Sequence, residues 1–253
     1  MLEINQIYNG DCLELMKDIP DGSVDAIICD LPYGTTRNQW DSVIPLDALW
    51  EQYKRLIKPN GAIVLFSQQP FTSVLVASNL SMFKYEWIWE KEMGTGFLNA
   101  NYAPLKSHEN IVVFSKGSAA HNGNPMSYNP QMEQGKAYTC KQGKMVNNYD
   151  TAHMVESIET KNDGKRYPKT VLKFNRDKDK FHPTQKPVDL IAYLVRTYTN
   201  EGETVLDNCC GSGTTAIAAI REKRNFICIE KDPHYYEVAK KRIETELSQP
   251  KLF

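Results

Sequence analysis

No stretch of this chain approaches the ~20 consecutive apolar residues that a helix needs to cross a bilayer. Its amino terminus, MLEINQIYNGD, has neither a basic start nor an apolar core. Histidine is scarce: the five residues (His108, His121, His153, His182, His234) form no ligand pattern with the six scattered cysteines, and the adjacent pair Cys209 and Cys210 lacks the C-x-x-C spacing of a zinc site. These absences predict a soluble cytoplasmic protein with no membrane partner, reduced structural thiols and no bound metal. Net charge is nearly absent too, at -1, but its distribution is uneven. Residues 161 to 181 carry eight Lys or Arg against three Asp, whereas residues 1 to 60 carry five against ten acidic residues. Charge segregated in this way marks either a surface that faces polyanions or a solvated loop.

What is present is room for a core, with 253 residues of which 41% are hydrophobic. Apolar runs alternate between two periodicities, which predicts an α/β fold: a mostly parallel sheet with helices on both faces. VDAIIC reads as a buried strand stopped by Pro32 and Gly34. Leu46, Leu49, Trp50, Tyr53, Leu56 and Ile57 fall on one helical face, with Pro59-Asn60-Gly61 as the stop, and GAIVLFS is the next strand. A short helix opens at Pro70, and YEWIWEK and ENIVVFS follow as neighbouring strands. Further on, Pro187 opens a helix with Leu190, Ile191, Leu194, Val195 and Tyr198 inward, ETVLD is a strand, GSGTTAIAAI turns into a helix, NFICIE is a strand, and Asp232 and Pro233 start the last helix. Between the two regular parts lies a polar, weakly periodic region, and the chain divides accordingly into residues 1–115, an insertion at 116–180, and residues 181–253.

Chemistry concentrates at strand ends. In ETVLDNCCGSGTTAIAAI a strand, an acid, glycines and a helix follow in that order; glycines let the backbone turn tightly, and the helix start offers unpaired N–H groups to a ligand. One strand later NFICIE ends in Glu230, about 20 residues on, where a carboxylate accepts bonds from ribose hydroxyls. The turn lacks the lysine of a triphosphate-binding loop, and Gly211 and Gly213 are followed by Thr214, Thr215 and Ala216 rather than by the third glycine of a dinucleotide fingerprint. A nucleoside cofactor other than NAD is the reading left.

With DLPY (30–33), HPTQKPVDL (182–190), GSGTT and Glu230 on one chain, the sequence resembles the amino-group DNA methyltransferases, which move a methyl group from S-adenosylmethionine to adenine N6 or cytosine N4. The D-x-P-Y segment precedes the cofactor turn, an order similar to the β class of these enzymes. The resemblance implies a Rossmann-like sheet whose halves are permuted in the chain, residues 116–180 as a target-recognition region, double-stranded DNA as partner, and S-adenosylmethionine as cofactor; it leaves a homodimer open. It assigns Asp207, Gly211, Gly213 and Thr214 to the methionine end of the cofactor, Glu230 to its ribose and Asp11 of GDCLELM to its adenine. Thr184 and Lys186 join the methionine end, and Asp30 borders the same site. Lys161, Lys165, Arg166, Lys169 and Lys173 become candidate DNA contacts. Two departures stand out: Leu31 replaces the first proline of D-P-P-Y, and Asn208-Cys209 replaces the Pro-Phe that commonly follows the acid.

The catalytic role implied for Asp30, Leu31, Pro32 and Tyr33 has a physical basis. An exocyclic amine donates its lone pair into the ring and is a poor nucleophile; two acceptors, the Asp30 carboxylate and the Leu31 carbonyl, draw its N–H groups and localise that pair. Pro32 stiffens the turn and Tyr33 stacks on the extruded base. The aspartate favours adenine over cytosine by resemblance. A catalytically silent DNA-binding relative and an enzyme acting on RNA or protein amides are the rival readings.

Overall fold

The computed structural model describes residues 1–34, 42–120, 123–141 and 159–248. Residues 35–41, which follow the D-L-P-Y segment and Gly34, the centre of the predicted insertion (142–158), His121 and His153 lie outside the described residues.

Strand alternation builds two cores from one sheet. In β2 (Val24–Asp30), Ala26 and Ile28 face one side and Ile27 and Cys29 the other, and all four are buried. The first face is covered by α4 (Val188–Tyr198), α5 (Thr214–Arg221) and α6 (Pro233–Ser248), the second by α1 (Cys12–Leu15), α2 (Leu46–Leu56) and α3 (Phe71–Ser78). A strand wet on one side would need only half of these apolar residues; coverage on both faces is why the central strands read as continuous apolar runs.

The sheet has eight strands in the order β1-β12-β11-β2-β3-β5-β4-β10. Its members are β1 (Gln6–Asn9), β2, β3 (Ile57–Ser67), β4 (Phe83–Thr95), β5 (Lys106–Ser115), β10 (Val171–Lys173), β11 (Thr204–Asp207) and β12 (Asn225–Glu230). All neighbours run parallel except β5, which is antiparallel to both β3 and β4. From β2 the chain crosses through α2 to β3 on one side, and from β11 it crosses through α5 to β12 on the other. The winding therefore reverses between β2 and β11, which are hydrogen-bonded with Leu206 opposite Ile27. Beyond the carboxyl ends of such a pair the two crossovers diverge and leave a crevice.

The structure corrects one predicted boundary and adds two strands to the main sheet. Helix α2 ends at Leu56, and Ile57 already pairs with Val24 as the first residue of β3, so Ile57 is not on the helical face and Pro59-Asn60-Gly61 lies inside an irregular strand start. The buried Ile57 gains more from the sheet than from another half-turn of helix, and a register shift between Val24 and Ala26 admits the proline. The additional strands β1 and β10 form the two sheet edges. YEWIWEK and ENIVVFS are neighbours as read from the sequence, and the structure makes their pairing antiparallel.

The polar region 116–180 divides. Residues Pro130–Lys169 form a separate compact unit, containing β6 (Glu133–Gln134) paired with β9 (Lys165–Arg166) and β7 (Tyr138–Lys141) paired with β8 (Glu159–Asn162). Within it the Arg166 guanidinium lies 4.6 Å from the centre of the Tyr138 ring. Residues on either side of this unit pack on the sheet: the Asn129 N–H donates to the Thr197 carbonyl at 2.7 Å, and β10 pairs with β4.

Candidate active site

Because β2, β11 and β12 run parallel, their carboxyl ends share one edge of the sheet, and each ends in an acid: Asp30, Asp207 and Glu230. A cavity of about 790 Å³ opens at this edge. It is lined by Asp11, Asp30, Leu31, Pro32, Tyr33, Thr184, Lys186, Asp207, Gly211, Thr214 and Glu230, so of the residues assigned to chemistry and cofactor by sequence all but Gly213 border one hollow.

The cofactor turn is held by neutral donors. Glu230 accepts the Gly211 N–H at 2.7 Å on one carboxylate oxygen and the Asp232 N–H at 2.8 Å on the other. Gly211 takes φ +52° and Gly213 φ +79°, left-handed conformations that favour glycine. A Cβ on Gly213 would also lie 3.0 Å from that of Ala239, so this glycine brings α5 against α6 rather than facing the cavity. Asp207 accepts the Cys209 N–H at 3.1 Å and the Thr215 hydroxyl at 2.5 Å. With no cation beside it, burial pushes its carboxyl up to about 7. Burial likewise raises Glu230. Asn208, one of the two departures from the family pattern, is buried and accepts the Tyr53 hydroxyl at 2.6 Å, which ties the turn to α2.

The Asp30 edge is held by cations. Asp30 accepts the Tyr33 hydroxyl at 2.6 Å on Oδ1 and the Lys186 ammonium on Oδ2. Lys186 reaches Glu109 at 3.3 Å, and Glu109 in turn meets Lys91 at 2.5 Å. The result is a buried chain of alternating charge, Lys91–Glu109–Lys186–Asp30, with the Lys186 ammonium 5.2 Å from the centre of the Phe66 ring. Burial raises the Asp30 carboxyl, and Lys186 opposes that rise only in part. Burial pushes Glu109 the same way, but two ammonium groups outweigh it and hold Glu109 low. Burial would drive a proton off Lys186; the two carboxylates prevail and raise it. The Tyr33 ring lies 5.4 Å from Phe71, tilted by 30°.

At the rim, Asp11 caps α1 by accepting the Leu13 N–H at 3.0 Å and pairs with Lys231 at 3.0 Å. The Thr184 hydroxyl meets His182 Nδ1 at 3.0 Å, and the His182 ring packs 4.1 Å from Tyr235; burial and then Lys186 push this imidazole down to about 4. The basic candidates are divided between the two compact units. Lys161, Lys165, Arg166 and Lys169 belong to the separate compact unit, while Lys173 lies on β10 and pairs with Glu90 at 3.0 Å. Among the described residues no His, Cys, Asp and Glu group is arranged to hold a metal ion, and no helix is long and apolar enough to cross a membrane.

Sequence reasoning missed Glu109 and Lys91. The signal was faint: Glu109 and Asn110 open the run ENIVVFS, and both are buried, a polar pair where a fully covered strand calls for apolar residues.

Known proteins resemble the chain along nearly its whole length. Residues 24–241 match the N6/N4 methyltransferase family model described as DNA methylase. The type II methyltransferase M1.MboII of Moraxella bovis is 27% identical over 271 residues, covering 94% of this chain and 96% of the relative. M.HpaI of Haemophilus parainfluenzae is 27% identical over 257 residues, covering 94% and 74%. Among solved structures, the complex of M1.HpyAVI with SAM superposes with a TM-score of 0.61 at 26% identity, covering 94% of this chain and 98% of that one. The cytosine-N4-specific PvuII DNA methyltransferase superposes with a TM-score of 0.66 at 15% identity, covering 100% and 89%, a likeness of fold. The reversal of winding between β2 and β11, the acids that end three parallel strands, and a family match running from β2 into α6 agree: the chain belongs to the N6/N4 family of DNA methylases.

Proposed function

We propose that the chain transfers a methyl group from S-adenosylmethionine to the N6 amino group of an adenine extruded from double-stranded DNA. The observation that carries this reading is the placement of Asp30 and Tyr33 on the same cavity as Gly211 and Glu230.

The donor set suits the cofactor. Each oxygen of Glu230 accepts one backbone N–H, and a carboxylate oxygen has capacity for a second donor such as a ribose hydroxyl. Asp11 at the rim serves the adenine, while Asp207, the Gly211 turn and Thr214 border the methionine end, with Thr184 beside them. S-adenosylmethionine supplies the methyl group on a positively charged sulfonium. The Lys186 ammonium has three N–H groups; Asp30 and Glu109 engage it from two directions, and the third is left for the cofactor's carboxylate.

Asp30 accepts an N–H of the target amine on the lone pairs that Tyr33 and Lys186 leave, and the Leu31 carbonyl takes the other. The nitrogen lone pair is then localised, and the carboxylate offsets positive charge as it develops. Tyr33 and Pro32 line the hollow that receives the base. Residues 116–180, centred on the separate unit Pro130–Lys169, supply target recognition, with Lys161, Lys165, Arg166 and Lys169 on phosphates.

The test is to incubate the protein with isotopically labelled S-adenosylmethionine and plasmid DNA, digest the DNA and separate the nucleosides by mass spectrometry. Labelled N6-methyladenine is the expected product. N4-methylcytosine would overturn the choice of base, and an unlabelled digest would overturn the enzyme.

A further inference from the structure

Strands β4 and β5 run past the sheet into a hairpin whose tip is built rather than loose. A 3-10 turn, Phe97–Asn99, follows Gly96, which takes φ +94°; the N–H of Asn99 donates to the Gly96 carbonyl at 3.0 Å, and those of Tyr102 and Ala103 donate to the Asn99 carbonyl, each at 2.9 Å. Near its base, a Cβ on Gly94 would stand 2.8 Å from that of Leu105, so glycine lets the two arms close. This ordered backbone turns its large apolar side chains outward: Phe97 is 80% exposed, Leu98 96% and Tyr102 90%. A cluster of that kind on a rigid tip marks a contact surface.

Its position says what it contacts. Thr95, one residue before the turning glycine, lines the active-site cavity, as do Trp89 and Lys91 earlier on β4. Two exposed cations, Arg176 and Lys180, line the same cavity. An apolar tip beside a hollow that takes up a nucleobase, with cations on the same rim, fits a polyanion whose interior is apolar and stacked. We propose that Phe97, Leu98 and Tyr102 form a wedge that enters the base stack of double-stranded DNA next to the extruded nucleotide, with Arg176 and Lys180 on the flanking phosphates. The inference rests on the reading of the chain as a base-extruding DNA methyltransferase and deepens it. Extrusion breaks stacking on both sides of the target base; apolar side chains inserted at the gap restore contact area and keep the base from returning. The wedge is therefore a positioning device that acts on the duplex and touches no reacting atom.

The experiment compares the wild type with a Phe97→Ala, Leu98→Ala double variant, whose exposed positions leave the fold intact, for methyl transfer to duplex DNA and to the same DNA heat-denatured. The wedge predicts a loss of about tenfold or more on the duplex and a change of less than about twofold on single strands, where no stack has to be opened. Permanganate reactivity of unstacked thymines in plasmid DNA provides a second measurement that does not depend on turnover: the wild type sensitises thymines at bound sites and the variant does not. Undiminished duplex transfer with undiminished permanganate reactivity overturns the wedge. So does an equal loss on both substrates accompanied by a change in sedimentation, which would assign the tip to contact between two copies of the chain. A wild type that methylates neither substrate fails the underlying reading instead, so the two failures are distinct.

Discussion

The two halves of the active-site edge end neighbouring parallel strands in acids that burial raises alike, and give them different partners. On the cofactor side, Asp207 and Glu230 are held by backbone N–H groups and a threonine hydroxyl, and burial moves both toward the neutral acid. On the catalytic side, Asp30 and Glu109 are threaded between Lys186 and Lys91. The difference teaches that position at a strand end confers no charge state by itself. Neutral donors offset desolvation only through their hydrogen bonds, whereas an ammonium also supplies Coulomb energy that grows as water is excluded. Under the proposed function the Asp207 and Glu230 side meets a cationic, hydroxyl-rich ligand, and the Asp30 side carries its own cation.

Three substitutions break or sharpen that contrast. The largest effect falls on Asp30. Asp30→Ala removes the acceptor for the target amine and is expected to lower methyl transfer by at least ~10³-fold while cofactor binding, measured by calorimetry, survives on Asp207 and Glu230. Turnover within tenfold of wild type would remove Asp30 from the mechanism.

Next comes Lys186→Met, which deletes the shared cation and leaves Asp30 and Glu109 buried side by side. Removing one partner of a buried pair costs about 3–5 kcal/mol. Asp30, already raised by burial, would rise further and Glu109 would keep Lys91 alone, so the stability that remains is lost as pH rises; urea unfolding should show a larger deficit near pH 8 than near pH 5. A deficit independent of pH would mean that Lys186 does not oppose the rise of these acids.

The smallest effect is on the other half and has no cation to lose. The folded Asp207 carboxyl stands at about 7 against an ordinary 3.8. Its contribution to stability is complete below 3.8 and is lost as pH rises through 7, on the order of 4 kcal/mol in all. Asp207→Asn keeps an acceptor for the Cys209 N–H and cannot ionise, so its thermal melting should be flatter than wild type between these limits. Identical pH profiles for the two proteins would place a compensating charge beside Asp207.

Much of this molecule was legible before the fold was known, because the signals involved are local. VDAIIC followed by Asp-Leu-Pro-Tyr, and TVLD followed by Gly211 and Gly213, each announce a strand that stops in an acid, and periodicity located α4 and α5 closely. The end of α2 was misread because Ile57 suits a helical face and a strand start equally, and only its pairing with Val24 decides. Strand β10 is three residues long and has meaning only against the exposed edge of β4.

The sequence by itself determined the order of elements, the acids at the strand ends and the glycines that turn beside them, since each follows from residue type and spacing over a few positions. Tertiary structure alone decided that Asp30 meets Lys186 across 156 positions of chain and that Glu109 stands beside them. The reason is the direction of β5: running antiparallel, it brings its beginning to the edge where β2 ends, so a residue that opens one strand joins a residue that closes another. No local pattern encodes the direction of a neighbour, and with that direction came the charge state of the site.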